Sequence, residues 1–313
     1  MTEHAYHRPV LVERVVAIVR DLPPGVVIDA TVGGGGHAAA ILESAPNIRV
    51  LGVDRDPTAR AAAHQRLAVF GERVRIVGGT FADLSAAVGS NDDFIADAPI
   101  VTVLMDLGVS SRQLDDPDRG FSFRFDAPLD MRMDPSRGET AAQLLERISQ
   151  QELVDLLRSN GEGRYAIPIA KALRLDQPTT TGELAQTVER VVPIPARRRG
   201  HVATRVFQAL RIAVNDEERQ LREGLEAAFR VLEPDGALIV ISYHSGEDRV
   251  VKSFLHGLST GGCQCPVELG CVCGAVAQAR LLRSSAVLSS ADEITANPRA
   301  RSARLRVGWK LAT

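Results

Sequence analysis

Short apolar runs separated by helical spacings give the first third of this chain a regular rhythm. Residues 26–28, 50–53, 74–77 and 100–105 each read as a buried strand, and the stretches between them read as helices. Such alternation is the sequence form of a parallel sheet. After Asp106 the rhythm stops. Residues 107–137 are rich in Asp, Pro, Ser and Arg with little periodicity, and helical patterns run from 140 to about 175. A helix over 215–232 and an apolar strand over 237–242 then resume the pattern. Residues 281–288 and 303–309 read as a closing strand pair, with Arg304 and Arg306 alternating against Leu305 and Val307. The expected architecture is α/β: a doubly wound, Rossmann-like sheet of seven strands, interrupted by a mostly helical insertion. Its expected limits are 1–113 with 214–313 for the sheet domain, and 114–213 for the inserted domain.

The first strand leads into Asp29-Ala30-Thr31-Val32-Gly33-Gly34-Gly35-Gly36-His37 and a helix leaves it. A glycine-rich strand-to-helix turn lets backbone approach a ligand closely. The second strand ends in Asp54-Arg55-Asp56-Pro57, at the spacing of about twenty residues where an acidic group meets a ribose diol. Gly33, Gly35 and Ala38 also satisfy the G-x-G-x-x-A pattern of nicotinamide sites. Asp29, on the strand before the glycines, instead resembles the first motif of class I S-adenosyl-L-methionine methyltransferases. The methyl donor is the preferred reading.

Open α/β sheets bind ligands outside the carboxyl ends of their strands. That rule gathers Gly35, Gly36 and His37, then Asp54, Thr80 and Phe81, residues 106–111, and Tyr243, His244 and Ser245 into one neighbourhood. Phe81 suits either an adenine ring or the core. His37 either contacts a cofactor or caps the turn. Asp106 can bind the charged end of a donor or orient a nucleophilic amine. Ser245 with Asp248 resembles a capping box for a helix through 255.

The chain has 313 residues, 45% of them hydrophobic, with a formal net charge of -2. That charge argues against a protein that coats nucleic acid nonspecifically, yet leaves room for local basic patches. Arg197, Arg198 and Arg199 precede His201 and Arg205, while Arg299, Arg301, Arg304 and Arg306 crowd the tail. They are either solvated faces or phosphate contacts. A polar start and the lack of any apolar run near the roughly 20 residues that span a bilayer give the expectation of a cytoplasmic, membrane-free protein. All four cysteines, Cys263, Cys265, Cys271 and Cys273, fall in one segment. This is either a metal knuckle, with C-x-C tighter than the usual C-x2-C of zinc sites, or a reduced loop.

A more specific resemblance rests on ordered blocks. They are His7-Arg8-Pro9-Val10-Leu11, the Asp29 to His37 run, Asp54-Arg55-Asp56-Pro57, Met105-Asp106-Leu107-Gly108-Val109-Ser110-Ser111 and Arg119-Gly120-Phe121-Ser122-Phe123. Further on come Pro128-Leu129-Asp130-Met131-Arg132-Met133-Asp134, residues 204–212, Tyr243-His244-Ser245-Gly246-Glu247-Asp248-Arg249 and Asn297-Pro298-Arg299-Ala300-Arg301-Ser302. Together they resemble the ribosomal RNA small subunit methyltransferase H family along essentially the whole chain. The resemblance implies S-adenosylmethionine as donor. It implies methylation of the exocyclic N4 amine of a cytidine in the decoding region of small-subunit (16S) ribosomal RNA, naked or within the assembled small subunit. By carry-over, Gly35, Gly36, His37, Asp54, Phe81, Asp106 and Gln113 would contact the donor. Asp106 would organise the donor end of the pocket, while Ser110, Tyr243 or His244 contacts the target base. The base must leave its stack, aided by a flexible 119–134 segment. Many amino-methyltransferases place an Asp/Asn/Ser-Pro-Pro-aromatic motif after the fourth strand. Asp106-Leu107-Gly108-Val109 stands here instead, and leaves the acceptor at the amine open.

Overall fold

The computed structural model describes residues 9–96, 98–197, 202–266, 272–283 and 285–312. Arg198, Arg199, His201 and Cys271, singled out above, lie outside them, as do His7 and Arg8. Among the described residues one sheet of eight strands forms, in the order β3-β2-β1-β4-β5-β8-β6, with β7 pairing to β8. The strands are β1 (Gly25–Asp29), β2 (Ile48–Asp54), β3 (Val74–Gly78), β4 (Ile100–Asp106), β5 (Ala237–Ser242), β6 (Ala279–Leu281), β7 (Val287–Leu288) and β8 (Arg304–Lys310). Neighbouring strands from β3 across to β5 are parallel, and β8 runs antiparallel to β5, β6 and β7. The chain order reverses between β1 and β4, the switch point at which doubly wound sheets open a ligand crevice.

The strands read as continuous apolar runs because both faces of the sheet are covered. Along β1, Val27 enters one apolar cluster while Val26 and Ile28 enter another; along β5, Ile239 and Ile241 alternate with Leu238 and Val240 in the same way. The closing pair departs from expectation. Residues 281–288 do not form one strand: β6 ends at Leu281 and β7 starts at Val287. The intervening Leu-Arg-Ser-Ser-Ala lacks an alternating pattern, and Arg283 Nη2 donates to the Ala286 carbonyl. Hence eight strands rather than seven.

The described residues divide into two compact units. One contains the sheet, from the start through Gly108 and again from Arg219; the other is Val109–Glu218. Helices of the second unit include Ala141–Arg147, Gln150–Ser159, Ala166–Asp176, Thr181–Val191 and Val202–Val214. They enclose their own apolar cluster, which holds Phe121, Leu129, Met131 and Met133. Three of these helices start with a Ser or Thr capping box: Thr140 with Gln143, Ser149 with Glu152, Thr180 with Glu183.

The packing of the 119–134 segment contradicts the expectation that it is flexible. Arg119 Nη2 donates to the carbonyls of Arg132 and Met133, and the Met131 amide donates to the Arg119 carbonyl. Buried Asn215 completes the brace, donating from Nδ2 to the Met131 carbonyl and accepting from the Met133 amide. Asn215 therefore stands before the next helix, Glu217–Val231, rather than opening it. No helix among the described residues is long and apolar enough to cross a membrane.

Candidate active site at the carboxyl ends of β1, β2, β4 and β5

The glycine turn after β1 is fixed to both neighbouring strands. The Val32 amide donates to the Val53 carbonyl of β2, and the Asp106 amide at the end of β4 donates to Thr31 Oγ1 at 2.7 Å. Gly33 and Gly35 have φ of 51° and 77°, a region that glycine enters without steric cost. A Cβ at Gly35 would lie 3.0 Å from Leu67 Cδ1, and one at Gly36 would lie 2.6 Å from Pro9 Cγ. The left-handed φ at 35 and the close packing of Pro9 at 36 are thus what require the bare backbone.

Asp54 closes the turn from the second strand. Its Oδ2 accepts from the Gly33 amide at 2.9 Å and its Oδ1 from the Asp56 amide at 2.8 Å. Burial pushes the Asp54 carboxyl above its ordinary value, and these two amides oppose the shift. Each carboxylate oxygen keeps a further lone pair, so the group can still accept from a diol.

Asp106 Oδ1 accepts from the Tyr243 hydroxyl at 2.8 Å. Its Oδ2 lies 3.5 Å from His37 Nε2, too long for a good hydrogen bond. His37 is buried, and among the described residues neither ring nitrogen has a hydrogen-bond partner. Fully buried Asp29 belongs to the same electrostatic cluster. Its carboxyl is pushed up to about 7, chiefly by burial, with His37 opposing and Asp106 and Asp54 adding to the rise. Tyr243 is raised far above the ordinary phenol by burial and by the adjoining Asp106 charge, so it is a donor at every physiological pH.

The other expected residues occupy varied settings. Phe81 is buried in the sheet unit, and a Cβ at Gly224 would lie 2.5 Å from its Cδ2, so the ring packs on the Glu217–Val231 helix. Ser110 and Gln113 belong to the helical unit and cap the Ser111–Asp115 helix reciprocally: Gln113 N donates to Ser110 Oγ, and Ser110 N to Gln113 Oε1. His244, not Ser245, is the N-cap of the Ser245–Thr260 helix, and Glu247 takes the place expected for Asp248. The reason is electrostatic. Asp248 is drawn to β8, where Arg306 Nε donates to Oδ1 at 2.7 Å and Arg304 Nη1 to Oδ2 at 3.1 Å. Both arginines thus brace Asp248 within the fold, and Arg205 is likewise tied to buried Glu162. Sequence reasoning misses Thr31 and Glu247; a Thr inside a glycine turn and a Glu three residues after His244 are the available signals.

Residues 4–311 match the profile of the MraW methylase family. The chain belongs to the MraW methylase family. A ribosomal RNA small subunit methyltransferase H of Heliobacterium modesticaldum is 45% identical, covering 98% of this chain and 99% of its own length. That of Syntrophotalea carbinolica is 47% identical, covering 98% of each. The methyl donor of this methylase is S-adenosylmethionine. The sheet ends fit it: His37 offers a buried ring whose nitrogens have no hydrogen-bond partner among the described residues, and Asp54 presents lone pairs beside a bare glycine turn.

Proposed function

We propose that this methylase transfers the donor's methyl to the exocyclic N4 amine of a cytidine in the decoding region of small-subunit ribosomal RNA. The relatives named for that ribosomal RNA align end to end with this chain, and the sequence blocks resemble the same family. The observation that carries the chemistry is the Tyr243–Asp106 hydrogen bond at the end of β4. S-adenosylmethionine supplies a sulfonium-bound methyl that departs to a nucleophile.

An exocyclic cytosine amine is a weak nucleophile because its lone pair is delocalised into the ring. Asp106, anchored through Oδ1, keeps Oδ2 to accept from an amine N–H, which raises electron density on nitrogen and takes up its proton as the N–C bond forms. Tyr243 is a positioning residue in this scheme. Asp54, with Gly35, Gly36 and His37 around the turn and Phe81 beyond β3, holds the donor in near-attack geometry, a contribution of several kcal/mol. His244, occupied as a helix cap, shapes the wall near the base. The helical unit (near 114–213) is the RNA-binding part of this reading.

Transfer of labelled methyl to small ribosomal subunits lacking the modification, and to naked RNA, followed by nucleoside analysis, tests the reading. Label in N4-methylcytidine, absent with Asp54→Ala, is the expected result. Label in another nucleoside, or none on either substrate despite donor binding, overturns it.

A further inference from the structure

Among the described residues, Cys263, Cys265 and Cys273 form a cluster outside the residues assigned to the sheet ends. Cys263 and Cys265 follow the Ser245–Thr260 helix, and Cys273 precedes β6, so they stand on the two legs of one excursion. The legs are joined at their base. The Gln278 amide donates to the Leu258 carbonyl at 2.8 Å, and a Cβ at Gly261 would lie 2.3 Å from the Val276 carbonyl oxygen. Beyond that stem the sulfurs of Cys263, Cys265 and Cys273 lie within 4.8 Å of one another. Among the described residues no apolar packing accounts for the convergence, since Val272 and Val276 beside them are 85% and 66% exposed.

Tetrahedral zinc holds thiolate sulfurs about 2.3 Å from the metal, which sets them about 3.8 Å apart. Closing from the observed spacing needs a shift of only about 1 Å. A disulfide would bring two sulfurs to about 2.05 Å and leave the third without a role. A set of thiolates also selects a borderline-soft ion such as zinc over magnesium or calcium, which prefer oxygen.

We propose that Cys263, Cys265 and Cys273 ligate a zinc ion that fastens the excursion between the Ser245–Thr260 helix and β6. Each thiol releases its proton to solvent as it ligates, so the site forms with loss of protons and no redox change. Cys271 lies outside the described residues, and the site is drawn from the other three.

The full-length chain, purified under reducing conditions without chelator, is expected to carry about one zinc per chain by elemental analysis. X-ray absorption should show sulfur neighbours at about 2.3 Å, and titration with a mercurial should release the metal. Cys265→Ser and Cys273→Ser should each lose most of the zinc while keeping donor affinity. Stripping the metal from wild type should make the excursion the first site of proteolytic cleavage, a readout that stands even if a serine variant folds poorly. No stoichiometric zinc after reconstitution with zinc chloride overturns the proposal. So does zinc retained by Cys263→Ser/Cys265→Ser, or a shell of nitrogen and oxygen only.

Discussion

The Tyr243 hydroxyl donates to Asp106 Oδ1 across 2.8 Å, linking the residue after β5 to the last residue of β4. Because burial and the Asp106 charge hold the phenol protonated, the direction of this bond is fixed. Tyr243→Phe keeps the ring and removes one hydrogen bond to a charged group, an interaction worth about 1.5–3 kcal/mol. We expect kcat to fall roughly 10-fold with a smaller change in donor Kd, since each factor of ten is about 1.4 kcal/mol. Rapid-quench single-turnover kinetics together with calorimetric donor titration separate the two. An unchanged kcat would show that Asp106 does not depend on Tyr243.

Asp54 holds the glycine turn with the carboxylate that, in the proposed function, also receives the donor. Asp54→Asn places an NH2 where one oxygen now accepts from the amide of Gly33 or Asp56, so two donors oppose each other. The donor should bind about 10- to 100-fold more weakly, as expected when a buried polar group is left without its partner. Titration calorimetry reads this directly. Wild-type affinity in Asp54→Asn would remove Asp54 from the donor site.

Much of this is legible in the sequence because β1, β2, β4 and β5 are covered on both faces and hence appear as uninterrupted apolar runs. The turn after β1 and the acid at the end of β2 are legible for another reason, since backbone demands tie residue type to position. What escapes is tertiary. Asp248 has the sequence spacing of a helix cap, three residues from Ser245, but its partners Arg304 and Arg306 lie 56 and 58 residues away. The 119–134 segment reads as loose because its order comes from one distant residue, Asn215, and from arginine-to-carbonyl bonds that leave no periodicity.

Asp29 should leave a mark on the pH dependence of stability. Its folded-state carboxyl sits at about 7 against an ordinary 3.8, so between those values the folded chain holds a proton that the unfolded chain has released. Its favourable contribution is complete below the unfolded value, shrinks as pH rises, and is lost above about 7, a swing on the order of 4 kcal/mol. Asp29→Asn cannot ionise and should lack the swing. Denaturant unfolding of both proteins from pH 4 to 8 reports the difference. A stability gap that stays constant over that range would show that Asp29 ionises normally.

The two tail arginines on Asp248 invite a test that separates folding from RNA binding. Arg306 is largely buried, and Asp248 is held below the usual carboxylate range: burial pushes it up, but the guanidinium groups of Arg306 and Arg304 outweigh that. Asp248→Ala would take from largely buried Arg306 the carboxylate it donates to, and breaking such a pair costs about 3–5 kcal/mol. Because the carboxyl is lowered, the pair's contribution is present above the unfolded value and lost as pH falls through the folded one, opposite in sign to Asp29. Replacing both partners, in Asp248→Leu/Arg306→Met, removes the two charges together and should recover most of the loss. If these arginines act only within the fold, the salt dependence of RNA binding by that double variant should match wild type, whereas removal of a guanidinium that binds phosphate would flatten the slope by about one. Filter binding over a salt series, run beside thermal unfolding, distinguishes the two, and a flattened slope with wild-type stability would return Arg306 to the RNA surface.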